Sequence, residues 1–113
     1  MNASSTYLHF DGLRSYVEIP DSPDFSVPTT DALTVSAWIR PEVLTFPNTE
    51  KGYVHWLGKG QSGQHEWVFR MYSGDNTEGR DNRISFYVFN PDGGLGVGSY
   101  FASSGEFVGK WLG

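Results

Sequence analysis

The chain has 113 residues, 38% of them hydrophobic and 16% aromatic, with 8 basic and 13 acidic side chains for a net charge of −5, and it contains no Cys. That length supports a single domain, residues 1–113, with one core. The charge balance, with no run of Lys or Arg, argues against phosphate-rich partners such as nucleic acid and against anionic membranes. The lack of Cys excludes disulfides, zinc–thiolate sites and thiol nucleophiles.

Seven strands are predicted in chain order. Thr6–Phe10 comes first and ends at an Asp11-Gly12 turn, and Ser15–Ile19 follows. Pro20, Pro23 and Pro28 then make residues 20–31 a long surface connection, because proline cannot donate to a ladder. Leu33–Arg40 alternates strictly and stops at Pro41. After a second loop come Tyr53–Leu57, closed by Gly58-Lys59-Gly60, and then Glu66–Tyr72. Arg83–Phe89 is its hairpin partner across the polar loop Asp75–Asn82. Asn90-Pro91-Asp92-Gly93-Gly94 is a turn, with Gly available for positive φ. Gly96–Ala102 is the last strand. No segment shows sustained helical periodicity, repeats or the ~20 apolar residues of a membrane span. Met1–Tyr7 is polar and shows no signal-peptide apolar stretch. Strands at this spacing predict an all-β, antiparallel sandwich or jelly roll.

Side chains alternate across a strand. One predicted face is a core: Leu8, Phe10, Val17, Ile19, Leu33, Val35, Ala37, Ile39, Phe69, Met71, Ile84, Phe86 and Val88. The other mixes aromatic and polar groups: His9, Tyr16, Trp38, Arg40, Trp56, Glu66, Arg70, Tyr72, Tyr87, Phe89 and Tyr100. A pyranose has an apolar C–H face that a flat ring covers and a rim of hydroxyls that polar groups bond. The candidate carbohydrate-binding residues are therefore Trp56, Tyr72 and Tyr87 for stacking, with Arg70 and Glu66 for hydrogen bonds. For these three rings, core packing and ligand contact are equally open readings. Trp38, between Ala37 and Ile39, reads as a core ring.

Three blocks of the sequence closely resemble the opening of laminin G-like, concanavalin A-like domains. They are Tyr7-Leu8-His9-Phe10-Asp11-Gly12, Ser15-Tyr16-Val17-Glu18-Ile19-Pro20-Asp21-Ser22-Pro23-Asp24-Phe25, and Leu33-Thr34-Val35-Ser36-Ala37-Trp38-Ile39-Arg40-Pro41. Lys59-Gly60 and Trp67-Val68-Phe69 match more weakly. Gly109-Lys110-Trp111 resembles the start of a later family strand. The resemblance implies a concanavalin A-like jelly roll of which this chain spans roughly the first half, apparently truncated. It also implies an extracellular or cell-surface setting within a larger protein. The missing half would leave inward side chains wet, so completion by a second chain or by homo-oligomerisation is expected.

Many members of that family hold a structural Ca2+. The resemblance therefore points to the oxygen-rich loop with Asp75, Asn76 and Asp81, and to Asp21, Asp24 and Asp31 in the earlier loop. Neither follows the regular spacing of a twelve-residue calcium loop, and a solvated polar loop is the competing reading. Catalysis finds no support. There is no alternating acidic triple of the glucanase kind, no serine-hydrolase elbow, no zinc-protease motif and no phosphate loop. His9, His55 and His65 lack ligand spacing and read as surface or hydrogen-bonded histidines. Asn2-Ala3-Ser4 is a glycosylation sequon. The sequence thus predicts a non-catalytic, lectin-like accessory domain whose partner is a glycan. The rival reading is a structural or adhesion module of a larger surface or phage protein, and a glycan-cleaving enzyme with acids elsewhere ranks below both.

Overall fold

A computed structural model describes residues 6–46, 52–61, 63–90, 96–102 and 108–113. The described chain is all-β. Four strands, β1 (Tyr53–Lys59), β2 (Trp67–Tyr72), β3 (Arg83–Val88) and β4 (Val97–Ala102), form one antiparallel sheet in the order β1-β2-β3-β4. Among the described residues helix is confined to a 3-10 turn at Pro23–Phe25 and one α-turn, α1, at Val27–Thr30. Among the described residues no helix is long and apolar enough to cross a membrane.

These four strands match the last four predicted ones to within two residues at each end. The Glu66–Tyr72 and Arg83–Phe89 segments pair as the hairpin their alternation implies, Phe69 opposite Phe86 and Arg70 opposite Ser85. β1 runs on through Gly58 and Lys59, which pair with Val68 and Trp67. The register shifts between His55 and Leu57, leaving Trp56 as the extra residue of a bulge. The turn at Asn90–Gly94 and the break at Ser103-Ser104-Gly105 fall almost wholly outside the described residues, as does the sequon.

Directly opposed residues of an antiparallel pair share a face. One face of the sheet therefore carries Phe69, Met71, Ile84, Phe86 and Val88, the sheet part of the predicted core, together with Val54, which was not predicted there. The ring of Phe69 lies 4.8 Å from Phe86 and 5.0 Å from Trp56. Burial is deepest on the inner strand β2, where Trp67, Val68, Met71 and Tyr72 are the buried hydrophobic side chains among the described residues. The Trp67 indole N–H donates to the Phe25 carbonyl (2.9 Å). That bond seats the 3-10 turn on the start of β2.

Residues 6–40 depart from expectation. Thr6–Phe10, Ser15–Ile19 and Leu33–Arg40 carry no ladder; the one bridge here joins Ile39 to Leu112, with N–H···O bonds of 2.8 and 2.7 Å. Leu33, Val35, Ala37 and Ile39 still alternate as half-buried positions against exposed Thr34, Ser36, Trp38 and Arg40. The side-chain pattern is therefore present without neighbours to complete the backbone pairing. Leu8, Phe10, Val17 and Ile19, predicted as core, are exposed, and so is Trp38, at 74%. Trp38 sits above the Gly113 backbone. Beside it the Arg40 guanidinium lies over the rings of Tyr7 and Trp111, 5.9 and 5.6 Å from their centroids. A second sheet layer, which a sandwich requires, is not formed among the described residues.

The connection at residues 20–31, expected as plain loop, holds both helical turns. Ser22 caps the 3-10 turn by accepting from Asp24 N–H (3.2 Å), with Pro23 in the first helical position. The Asp11-Gly12 turn is built on one carboxylate oxygen, which accepts the backbone N–H groups of Leu13, Arg14 and Ser15 at 2.8, 2.9 and 3.0 Å. Those donors hold the Asp11 carboxyl well below the usual carboxylate range, the Arg14 N–H contributing most.

Candidate functional site

The face opposite Phe69 and Phe86 is where the predicted polar and aromatic residues converge. Pairing sets Tyr53 against Tyr72, His55 against Arg70, Arg70 against Ser85 and Val68 against Tyr87. Arg70 is the hub. Its Nε–H donates to His55 Nε2 (3.0 Å). Its guanidinium carbon lies 4.7 Å from the ring centre of Tyr53, 4.9 Å from Tyr87 and 5.5 Å from Phe89. The surrounding rings also touch one another: Tyr53 stacks on His55 (5.6 Å), His55 meets His65 edge-on (4.8 Å), and Phe89 lies 5.8 Å from His65 and 5.7 Å from Tyr87.

The local sequence explains this convergence. Tyr53 and His55 are two apart on β1, so the pleat turns both to one face before the bulge at Trp56 shifts the register. Gly98 lies opposite Tyr87, and a β-carbon there would collide with the tyrosine ring. The missing side chain is what lets Tyr87 lie flat along the sheet.

An open cleft of about 230 Å³ adjoins the cluster, lined by Val17, His55, Trp56, Gly58, His65 and Val68 among others. The electrostatics of the cluster are set by Arg70. Burial, and then the Arg70 charge, push His65 below the usual histidine value, so His65 is neutral near pH 7. His55 accepts through Nε2 from a permanent donor, so its neutral tautomer carries the proton on Nδ1. For Tyr72, burial works against ionisation, but the nearby polar side chains of Arg70, Ser85 and Arg80 and the Arg70 charge outweigh it and lower the phenol pKa.

Of the five predicted sugar-contact residues, Arg70, Tyr72 and Tyr87 share this face. Tyr72 is fully covered, beneath Tyr53 (5.6 Å). It supports the cluster from within and offers no open ring. Trp56 reaches the cleft, while its ring packs on Phe69 (5.0 Å) and its indole N–H finds no acceptor among the described residues. Glu66 lies elsewhere. Its Oε1 accepts from Lys59 Nζ (2.6 Å) and Ser26 Oγ (3.1 Å), and Lys59 also pairs with Asp21 (2.9 Å). This staple ties the 21–26 segment to the β1–β2 end of the sheet and is a structural arrangement. Glu66, and after it Asp21, raise the Lys59 pKa through these hydrogen bonds.

Tyr53 and His65 belong to the cluster but were not among the predicted contacts. The period-2 relation between Tyr53 and His55 was the available signal for the first. The position of His65 depends on the β1–β2 turn, which alternation does not report.

In the Asp75–Asn82 loop, Asn76 is buried and fully engaged. Its Oδ1 accepts from the N–H groups of Glu78 (3.0 Å) and Arg80 (3.1 Å), and its Nδ2 donates to the Gly52 carbonyl (3.4 Å). Both lone pairs of the Asn76 oxygen accept hydrogen bonds within the loop. Asp75 and Asp81 are exposed. No group of three or more His, Asp or Glu side chains comes together as cation ligands among the described residues.

No family model, curated protein or solved structure matches the chain.

Proposed function

We propose that this chain is a non-catalytic carbohydrate-binding module, its sheet forming one layer of a concanavalin A-like, laminin G-like sandwich. The observation that carries the reading is the Arg70 cluster: a guanidinium ringed by Tyr53, Tyr87 and Phe89, bonded to His55, beside a cleft that holds Trp56 and His65. Aromatic surface meets the C–H face of a pyranose, and guanidinium and imidazole N–H groups meet its hydroxyls. The cleft is open, so affinity is weak compared with that of an enclosed pocket. The sandwich part of the reading draws on the one-sided apolar face of β1–β3, which needs a covering layer. The protein then works outside the cell or on its surface, within a larger assembly.

A glycan array with an insoluble-polysaccharide pull-down tests this function. The chain binds at least one glycan class, and Tyr87→Ala weakens that binding while the far-ultraviolet spectrum is kept. Absence of binding to any glycan refutes the reading.

One observation favours a second reading, that of an adhesion module. Leu8 (70% exposed), Leu13 (76%), Tyr16 (78%) and Ile19 (69%) are large apolar side chains left exposed along one segment, interleaved with His9, Asp11, Arg14 and Glu18. A second copy or another chain covering this stretch would complete the sandwich. Light scattering after size exclusion separates the two cases, since a monomer at high micromolar concentration removes the self-association version.

A further inference from the structure

We propose that the glycan taken by this face is acidic, carrying a carboxylate that pairs with Arg70. The inference rests on the carbohydrate reading above and narrows it to one ligand class.

Among the described residues three cations have carboxylate partners, and Arg14, Arg70, Arg83 and Lys110 have none. Arg40 has Glu42 at 2.7 Å, Lys59 has Glu66 at 2.6 Å and Asp21 at 2.9 Å, and Arg80 has Glu78 at 3.6 Å. Of the four without one, Arg70 is half-buried, as Arg83 is, and it alone is set among aromatic rings. Its neighbours are a neutral imidazole acceptor and three aromatic rings. Ring quadrupoles attract a cation but do not neutralise it. A guanidinium has five N–H donors in a planar fork, matched in geometry to a carboxylate. The Nε–H goes to His55, so the terminal N–H groups of the fork remain for a ligand.

The surroundings favour a small carboxylate over a polyanion. The chain carries a net charge of −5, so no general field draws in a heavily sulfated polymer, and attraction is local to this one cation. Tyr87, Phe89 and the cleft wall at Trp56 then supply ring faces beside the charge, as a sugar acid requires: an apolar ring face and, at its edge, an anion.

The test uses the intact chain and two probes, a uronic-acid oligosaccharide and the same oligosaccharide with its carboxylates reduced to alcohols. Titration calorimetry at pH 7 gives the affinities, and the His55 and His65 ring resonances report the location. The uronate form binds about tenfold or more tighter, the loss expected for one charge-assisted hydrogen-bonded contact, and both histidine signals move. Arg70→Gln abolishes the preference. Arg70→Lys, which keeps charge but not the fork, retains part of it. Equal affinity for the two probes overturns the inference while leaving the carbohydrate reading intact. No binding of either probe, combined with a blank glycan array, sinks both. Dextran sulfate binding as tightly as the uronate, unaffected by Arg70→Gln, shows bulk-charge attraction and also overturns it. Should Arg70→Gln not fold, the two-probe comparison on the unaltered chain still decides.

Discussion

Replacing Arg70 by Met removes the charge and the donor from the middle of the aromatic cluster while keeping a stem of similar length. Three rings lie within 6 Å of the guanidinium carbon, at 4.7, 4.9 and 5.5 Å. At a site that water still reaches, each such contact is worth about 0.5–1 kcal/mol. The hydrogen bond to His55 adds about 1 kcal/mol net. The three ring contacts share one cation and are not fully additive. The sum therefore lies at roughly 2–4 kcal/mol of lost stability, or about 8–16 °C in Tm for a chain of this size. Arg70→Lys keeps the cation but loses the Nε–H, and its cost is about 1 kcal/mol. Urea unfolding with an unchanged m-value is the assay. A cycle with Tyr87→Leu isolates the cation–ring coupling, expected at about 0.5–1 kcal/mol. If Arg70→Met unfolds at the same urea concentration as the parent, or if the cycle is additive, the guanidinium does not organise this face and the site built around it falls.

Trp67→Phe removes the donor to the Phe25 carbonyl and costs about 0.5–1.5 kcal/mol, the net worth of one hydrogen bond; a midpoint unchanged in urea argues against the turn being seated there. The Lys59 staple responds to base. Lys59 titrates above its usual 10.5 in the folded chain, so its contribution is full below that pH and fades as pH rises through the folded value. Glu66→Gln flattens this alkaline loss in a series of melts, and an unchanged slope refutes the assignment. Gly98→Val forces the Tyr87 ring out of place and costs roughly 1–3 kcal/mol by overpacking, together with the upfield shifts that ring stacking gives to the Arg70 methylenes; retention of those shifts contradicts the flat placement of Tyr87. Calcium, tested against a chelator, leaves Tm unchanged, since Asn76 is spent on its own loop; a rise of several degrees shows that the loop rearranges into a binding site.

The second half of the chain was readable because its strands are adjacent in sequence and in space. Alternation in Trp67–Tyr72 and Arg83–Val88 assigns each side chain a face, and the intervening polar loop brings those faces into register. The first half shows what alternation does not encode. Leu33–Arg40 has the predicted in-and-out pattern, yet a ladder needs a neighbour to supply N–H and C=O groups, and only Ile39 finds one. Trp38 illustrates the same rule at one position. It falls on the side of Ser36 and Arg40, so the pattern itself puts it outward, against the pull of its hydrophobicity. Tyr72 was a fair candidate for a sugar-stacking ring by sequence, but it lies on the central strand under Tyr53, and only the register reveals that cover. The bulge at Trp56 leaves no mark in the residue pattern. Ser22-Pro23-Asp24 did leave one: a capping serine ahead of a proline announces a helical turn.

The bridge between Ile39 and Leu112, with the further bond from Gly109 N–H to the Pro41 carbonyl (2.7 Å), clasps the two ends of the segment that contains the entire sheet. Each strand of that sheet pairs with its sequence neighbour, so the meander can zip together hairpin by hairpin with little chain entropy lost at each closure. The clasp instead closes one long loop for a handful of bonds and gains least until the sheet is in place. The order of assembly is therefore sheet first and clasp last. In native-state hydrogen exchange the amides of Ile39 and Leu112 should open well before those of Val68 and Tyr72.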